Sequence, residues 1–134
     1  MIFVDSSFWI AMAARRDGRH EQAIALLAER PEAALLTSNH VRGETWTFLR
    51  SRYGHSVASS FLESTERSDR LRVAFVSSEL ERDAWAWLHR HDERPYSFVD
   101  ATSFALMRSL RIGEAFAFDG DFAAAGFVEL RASG

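Results

Sequence analysis

The sequence predicts an α/β fold with a mainly parallel central sheet. Short apolar runs that suit buried strands alternate with longer segments whose apolar residues recur at helical spacing. A chain of 134 residues with 47% hydrophobic content is long enough to bury a sizeable core. We find no internal repeat and no low-complexity linker, so we expect one domain covering residues 1–134.

The first half of the chain is predicted to hold two strands and four helices. Ile2-Phe3-Val4 is an apolar run that ends at Asp5, and Ser6 or Ser7 can cap the helix that follows. The predicted elements are a strand at 2–4, helices at about 6–14 and 20–30, a strand at 34–37, a helix capped by Ser38 that ends at about 52, and a helix at about 55–66.

The second half repeats the alternation. Ser78 with Glu81, and Ser97 with Asp100, have the spacing of capping boxes, in which the two side chains satisfy each other's backbone N–H groups. The predicted elements are a strand at 72–76, helices from 78 to about 90 and from 97 to about 110, a strand at 114–118, a one-turn segment and a terminal strand at 127–130.

Composition limits the classes of function. All 16 basic residues are arginine and the net charge is -3, so the chain lacks the basic footprint of a duplex-DNA binder, and any nucleic-acid contact must be local. The absence of cysteine excludes disulfides and thiolate catalysis. The N-terminal stretch resembles neither a signal peptide nor a membrane span, and we expect a cytoplasmic protein.

Four acidic residues fall where a parallel sheet binds ligands. Asp5 and Asp119 each follow a predicted strand, Asp100 lies in the first turn of a helix, and Glu44 lies two turns into another. Right-handed strand–helix crossovers begin each helix at the carboxyl edge of the sheet, so these residues can converge there. Taken singly, each aspartate has an alternative interpretation as a turn former or a helix cap.

Glu44 is the residue least explained by local structure. It sits within a helical stripe of apolar residues, so we expect its carboxylate to face the core, where an unpaired charge is costly. Carboxylates crowded together raise one another's pKa unless a cation intervenes. Oxygen ligands favour Mg²⁺ or Mn²⁺. His40 and Glu44 have a spacing seen in zinc sites, but no third ligand completes a zinc motif.

At these residues the sequence resembles a known family. IFVDSS, GETWTFL, SFVDATSFALM and AFAFDGDFAAAGF are similar to the acidic motifs of PIN-domain nucleases, and their order and spacing resemble those of VapC toxins. The resemblance implies a three-layer α/β/α sandwich and Mg²⁺- or Mn²⁺-dependent endoribonuclease activity. It also implies a homodimer and a small cognate antitoxin protein that blocks the site.

The resemblance assigns roles to individual residues. It makes Asp5, Glu44, Asp100 and Asp119 the catalytic, metal-binding acids and Asp121 an auxiliary ligand. Many relatives carry Ser or Thr before the last acid, where this chain has phenylalanine. Hydroxyls near the site are expected instead from two residues, Ser6 and Thr102.

The mechanism that follows is hydrolysis of RNA by metal-activated water rather than by a protein nucleophile. Arg15 and Arg42 are candidates for phosphate contacts, which position RNA without reading its sequence.

Two alternative functions remain open on the residues alone. One is a phosphatase-like phosphotransfer domain, which would need a second aspartate close after Asp5 or a lysine. The other is a non-catalytic PIN-like domain that binds RNA or a partner. The aromatic residues, Trp85 and Trp87 among them, suit a core, a dimer face or an antitoxin groove.

Overall fold

The structure, a computed structural model, describes residues 1–133. Within them helices and strands alternate in the order β1 (Ile2–Val4), α1 (Ser6–Ala13), α2 (His20–Glu29), β2 (Leu35–Ser38), α3 (Asn39–Tyr53), α4 (His55–Arg67), β3 (Leu71–Ala74), α5 (Ser78–Arg90), α6 (Phe98–Leu110), β4 (Glu114–Phe116), α7 (Asp121–Ala124) and β5 (Val128–Glu129). None of the helices in this range combines the length and the apolar composition needed to cross a bilayer.

The strands form one parallel sheet in the order β3-β2-β1-β4-β5. Strand β1 is central: Phe3 is in register with Leu36 on β2 and with Ala115 on β4. From β1 the chain adds β2 and then β3 on one side of the sheet. It then crosses to the other side of β1 and adds β4 and β5. The crevice between β1 and β4 is the point where the winding direction changes, and in such sheets it is the place where ligands bind.

Two hydrophobic cores lie on opposite faces of the sheet, so the predicted three-layer α/β/α sandwich is confirmed. Alternate residues of β1 point to opposite faces, as the pleat requires. Val4 packs in the core that includes Phe8 of α1, whereas Phe3 packs in the core that includes Phe104 of α6. A third, smaller core joins α3 to α4.

Several predicted boundaries are wrong by one or two residues, for identifiable reasons. Helix α1 is capped by Asp5, whose side chain accepts a hydrogen bond from the Ser7 N–H, and not by Ser6 or Ser7. Helix α5 is capped by Ser77 instead of Ser78. Strand β4 ends at Phe116 because its partner in register is Val4, the last residue of β1.

Helix α6 is the most deeply enclosed helix of the molecule. Its residues from Asp100 to Met107 are all buried, which is typical of a helix packed on all sides. The predicted capping box is present: Ser97 Oγ accepts from the Asp100 N–H at 3.0 Å, and Asp100 Oδ2 accepts from the Ser97 N–H at 3.0 Å. This arrangement fixes a buried aspartate at the carboxyl edge of the sheet.

Candidate metal centre

Three carboxylates meet at the crevice between β1 and β4. One oxygen each of Asp100, Asp119 and Asp121 lies within 4.8 Å of the others. Asp100 comes from the start of α6, and the other two flank Gly120 in the turn that joins β4 to α7. Asp100 is buried, Asp121 is half-buried and Asp119 is exposed, so the cluster opens to solvent on the Asp119 side.

Asp5 lies outside this group of three but near enough for the charges of Asp119 and Asp100 to act on it, and it is held firmly. It is 1% exposed, and its Oδ2 accepts hydrogen bonds from Ser7 N at 3.2 Å and Ser7 Oγ at 2.7 Å. Ser7 Oγ in turn accepts from the backbone N–H of Phe118 at 3.0 Å, and the Asp5 N–H donates to the carbonyl of Phe116 at 3.0 Å. These bonds tie the end of β1 to the segment that carries Asp119.

The site holds more negative charge than its surroundings neutralise. Burial, together with the charges of Asp119 and Asp100, raises the pKa of Asp5 to about 7 even though two hydrogen bonds from Ser7 oppose the rise. Burial also raises the pKa of Asp100 to about 6, with the charges of Asp121 and Asp119 adding to the effect. Partial desolvation and the charge of Asp121 raise the pKa of Asp119.

These residues fit a hard divalent cation. The donors of the Asp100–Asp119–Asp121 group are all carboxylate oxygens, Asp100 is buried, and the repulsion among these acids and Asp5 is of the kind that a bound cation relieves. Mg²⁺ and Mn²⁺ prefer such oxygen-only sets. Within residues 1–133, this is the one group of three or more acidic, histidine or cysteine side chains close enough to share an ion. His40 lies 3.4 Å from Glu81 and has no part in it.

Glu44 lies at the edge of the site, and the expectation that it faces the core is wrong. Its side chain is exposed because the buried stripe of α3 is narrower than the sequence indicated: Phe48 is 42% exposed, and the buried residues are Val41, Thr45 and Leu49. Ser6 Oγ donates a hydrogen bond to Glu44 Oε1 at 2.8 Å. Glu44 is thereby connected to the residue next to Asp5.

The structure does not bring the other predicted substrate contacts into the cluster. Thr102 is fully buried, and its hydroxyl donates to the carbonyl of Val99 at 2.8 Å within α6. Arg42 pairs with Glu66 at 3.7 Å on the surface of α3 and α4. Arg15 is exposed and lines a groove beside α1.

Comparison with known proteins decides the family, because the family model of the PIN domain matches residues 2–128. The chain belongs to the PIN-domain family. Proteins named 23S rRNA-specific endonuclease VapC20, from two strains of Mycobacterium tuberculosis, are 56% identical to it over 131 residues, covering 98% of each chain. A crystal structure described as that of M. tuberculosis VapC20, a sarcin–ricin loop cleaving toxin, superimposes with a TM-score of 0.91 at 55% identity, covering 98% of this chain and 99% of that one.

This PIN-domain protein is therefore a metal-dependent endoribonuclease of the VapC toxin type, as the resemblance of its acidic motifs implied. Of the two alternatives that the residues left open, a phosphotransfer domain does not agree with this family membership, and a non-catalytic PIN-like domain does not agree with the likeness to proteins named as endonucleases. The acidic cluster occupies the switch point of the sheet, where the fold places ligands.

Two side chains at the PIN-domain site make contacts that the sequence pattern did not predict. Ser7 bridges Asp5 and Phe118. Arg94, in the loop between α5 and α6, donates from Nε to Asp121 Oδ1 at 2.9 Å. A possible signal was its place in the sequence, since Arg94 is the basic residue three positions before the Ser97–Asp100 capping box. A loop residue has no periodicity to show where its side chain points.

Proposed function

We propose that this protein hydrolyses a phosphodiester bond of 23S rRNA in the sarcin–ricin loop, with Mg²⁺ or Mn²⁺ held at the acidic cluster. The names of the M. tuberculosis VapC20 proteins supply the substrate, and the likeness over nearly the whole of both chains supports its transfer to this one. The observation that carries the proposal is the set of three carboxylates within 4.8 Å at the switch point, with buried Asp5 beside it. A ribosomal substrate would place the reaction in the cytoplasm.

Asp5, Asp100 and Asp119 are the residues that would hold the cation, with Asp121 as an auxiliary and Glu44 at the rim. When bound, the cation supplies positive charge that stabilises the reacting phosphate and lowers the pKa of an attacking water. Asp5 and Asp100 are preorganised for this role, because Ser7 and the capping box hold their carboxylates in place. Asp119 lies on the open side, where RNA would approach.

A protein nucleophile does not fit the site. The chain has no cysteine, and the two serines nearest Asp5 both donate their hydroxyl hydrogens to carboxylates: Ser6 to Glu44 and Ser7 to Asp5. Neither serine has a histidine base as its hydrogen-bond partner. Water is therefore the attacking group, and we expect products with 5′-phosphate and 3′-hydroxyl ends.

Contacts to the RNA backbone would come from arginines at the surface. Arg15 is exposed beside α1, and Arg42 is half-buried on the helix that carries Glu44. Such contacts orient RNA and make binding depend on salt. Thr102, whose hydroxyl is bonded within α6, would act by supporting the helix that presents Asp100.

Cleavage of purified ribosomes and of a synthetic sarcin–ricin stem-loop tests the proposal. We expect one cut with Mg²⁺ or Mn²⁺, mapped by primer extension, and none with EDTA. Asp100→Asn should abolish the cut, whereas Glu32→Gln, which neutralises an exposed loop acid, should not. Undiminished cleavage by Asp100→Asn, or cuts scattered over unrelated RNAs at the same rate, would reject the assignment.

An aromatic patch next to the site supports a homodimer. Trp85 is 56% exposed and stacks on Phe98 with ring centroids 4.2 Å apart, and Phe48 is 42% exposed. Phe48 and Val99, the neighbour of Phe98, line one shallow pocket together with Glu44. Exposed aromatic clusters are typical of interface cores, and we propose that a second copy of the chain covers this patch.

An apolar groove between α1, α2 and α4 would take the cognate antitoxin. It has a volume of about 620 Å³, and α1, α2 and α4 contribute side chains such as Trp9, Met12, Leu27 and Phe61. Grooves of this kind accept the apolar face of an amphipathic helix. Met12→Glu should prevent complex formation with the antitoxin and leave cleavage intact. A stable complex with this variant would place the antitoxin elsewhere.

A further inference from the structure

Arg94 reaches from the α5–α6 loop across the turn that presents two of the clustered carboxylates. Its Nε and one terminal nitrogen each lie 2.9 Å from Asp121 Oδ1, and the same terminal nitrogen donates to the backbone carbonyl of Asp119 at 3.4 Å. One guanidinium thus contacts both ends of the Asp119–Gly120–Asp121 turn. A forked, planar cation with several donors is suited to such a contact.

The turn is shaped to receive this arginine. Gly120 has φ +85, a left-handed conformation that favours glycine, and a Cβ added there would lie 3.4 Å from the terminal nitrogen of Arg94. Asp119 Oδ1 accepts from the Asp121 N–H at 3.2 Å, which closes the turn from inside. The position of Asp121 therefore depends on a residue from a different part of the chain.

Arg94 also supplies charge. Among the residues that the structure describes, it is the one cation within 4.0 Å of a carboxylate of the cluster. The Arg94 side chain is 39% exposed and that of Asp121 is 18% exposed, so the carboxylate of the pair is partly protected from solvent. An ion pair in such a place interacts more strongly than one fully surrounded by water.

We infer that Arg94 is a positioning residue that acts as a built-in counter-ion of the acidic site: it holds Asp121 as an ion-pair partner, offsets part of the negative charge of the Asp100–Asp119–Asp121 group, and thereby sets the affinity for the divalent cation. The inference rests on the proposed metal-dependent function. A cation at the cluster and the Arg94 guanidinium are attracted by the same carboxylate charge. Each therefore weakens the interaction of the other with the site.

The test is the affinity for Mn²⁺, measured by calorimetry on the whole protein without RNA. Arg94→Gln should bind Mn²⁺ at least about threefold more tightly, because the Asp121 carboxylate is no longer paired with a guanidinium and its charge is free to attract the ion. Arg94→Lys keeps the charge and should return most of the way to the wild-type affinity. Arg82→Gln, which removes an exposed arginine of α5, is the matched control and should leave the affinity unchanged.

A double-mutant cycle shows whether Asp121 carries the effect. In the Asp121→Asn background, Arg94→Gln should change the Mn²⁺ affinity much less than it does in the wild type. Asp121→Asn alone should weaken binding far less than Asp100→Asn, because the charge of Asp121 is already offset. The latter comparison also keeps the inference testable if Arg94→Gln does not fold.

Unchanged or weaker Mn²⁺ binding by Arg94→Gln would overturn the inference, and so would an equal effect in both backgrounds. Its failure is distinguishable from failure of the proposed function. A wild-type protein that binds Mn²⁺ but leaves 23S rRNA uncut would reject the function and leave the role of Arg94 intact. A wild-type protein that binds no Mn²⁺ would reject both.

Discussion

Ser6 of α1 donates a hydrogen bond to Glu44 of α3 with an Oγ–Oε1 distance of 2.8 Å. It joins the residue after Asp5 to an acid far away in sequence, and it is exposed to solvent. Exposed hydrogen bonds contribute little to the free energy of unfolding, so its effect should be on the orientation of the Glu44 carboxylate.

Substitution of Ser6 should therefore reduce activity more than stability. We expect Ser6→Ala to lower kcat/KM about fivefold, the equivalent of one hydrogen bond of about 1 kcal/mol, with little change in Tm. Glu44→Gln should cost more, because the charge itself is lost. Cleavage rates and melting curves measured on the same preparations give the comparison. A large fall in Tm with unchanged kcat/KM would make the bond structural.

The metal-free protein should lose stability as pH rises. The pKa of Asp5 is about 7 in the folded state, above the ordinary value of 3.8, so the folded state binds the proton more tightly than the unfolded state. The stabilisation is fully present below about pH 4 and is lost as pH rises through 7. Between pH 5 and 8, the wild type should lose about 2–3 kcal/mol relative to Asp5→Asn.

Urea unfolding in EDTA at both pH values measures this difference. The Asp5→Asn variant serves as the reference because it shares every other titrating group with the wild type. At pH 8 this variant should also be more stable than the wild type, and it should not cleave RNA. Such a combination is typical of an active-site residue that lowers stability but is required for activity. Parallel pH profiles for the two proteins would contradict the assignment of the charge to Asp5.

Asp100 serves both as a cap and as a predicted ligand, and two substitutions separate these roles. Asparagine can still accept the hydrogen bond from the Ser97 N–H, whereas alanine cannot. Asp100→Ala should therefore be about 1 kcal/mol less stable than Asp100→Asn, while both should lack activity. Equal stabilities would show that the capping bond contributes nothing.

The conformation of Gly120 gives a prediction about the turn. Its φ of +85 is unfavourable for any side chain, and Arg94 lies close to the place a Cβ would take. We expect Gly120→Ala to cost roughly 1–2 kcal/mol and to weaken Mn²⁺ binding by displacing Asp119. Gly18→Ala, in open space with an ordinary φ, is the matched control. A Gly120→Ala protein with unaltered stability and Mn²⁺ affinity would show that the turn tolerates a side chain.

The proposed dimer face gives a prediction about mass in solution. Trp85→Glu places a charge in the exposed aromatic patch, which a second copy could cover only at a high cost in desolvation. Light scattering should show two chains for the wild type and one for the variant. A wild-type protein that is monomeric at high concentration would contradict the dimer.

The parts of the structure predicted correctly were those governed by local rules. Hydrophobic periodicity predicted the apolar strand β1, and capping chemistry predicted the Ser97–Asp100 capping box. The alternation of helices and strands, with right-handed crossovers, predicted that the strands run parallel. Because β1 and β4 are neighbours, the meeting of Asp5 with Asp119 also followed from topology.

The features that were missed depend on long side chains and on the width of a buried face. Arg94 contacts Asp121, which lies 27 residues away in the sequence. No local sequence pattern predicts which residue the guanidinium of a loop arginine will contact. The prediction that Glu44 faces the core is wrong because Phe48 is apolar yet exposed, so the buried stripe of α3 is narrower than its apolar residues indicate. An apolar residue in a helix does not by itself define a core face.

We propose that the carboxylates at the switch point share one divalent cation, and anomalous diffraction from crystals soaked in Mn²⁺ would locate that ion. We expect a manganese peak about 2.0–2.2 Å from carboxylate oxygens of Asp100 and Asp119, with Asp5 on its inner side and Asp121 still paired with Arg94. A peak elsewhere, or none at this cluster when Mn²⁺ is saturating, would contradict it.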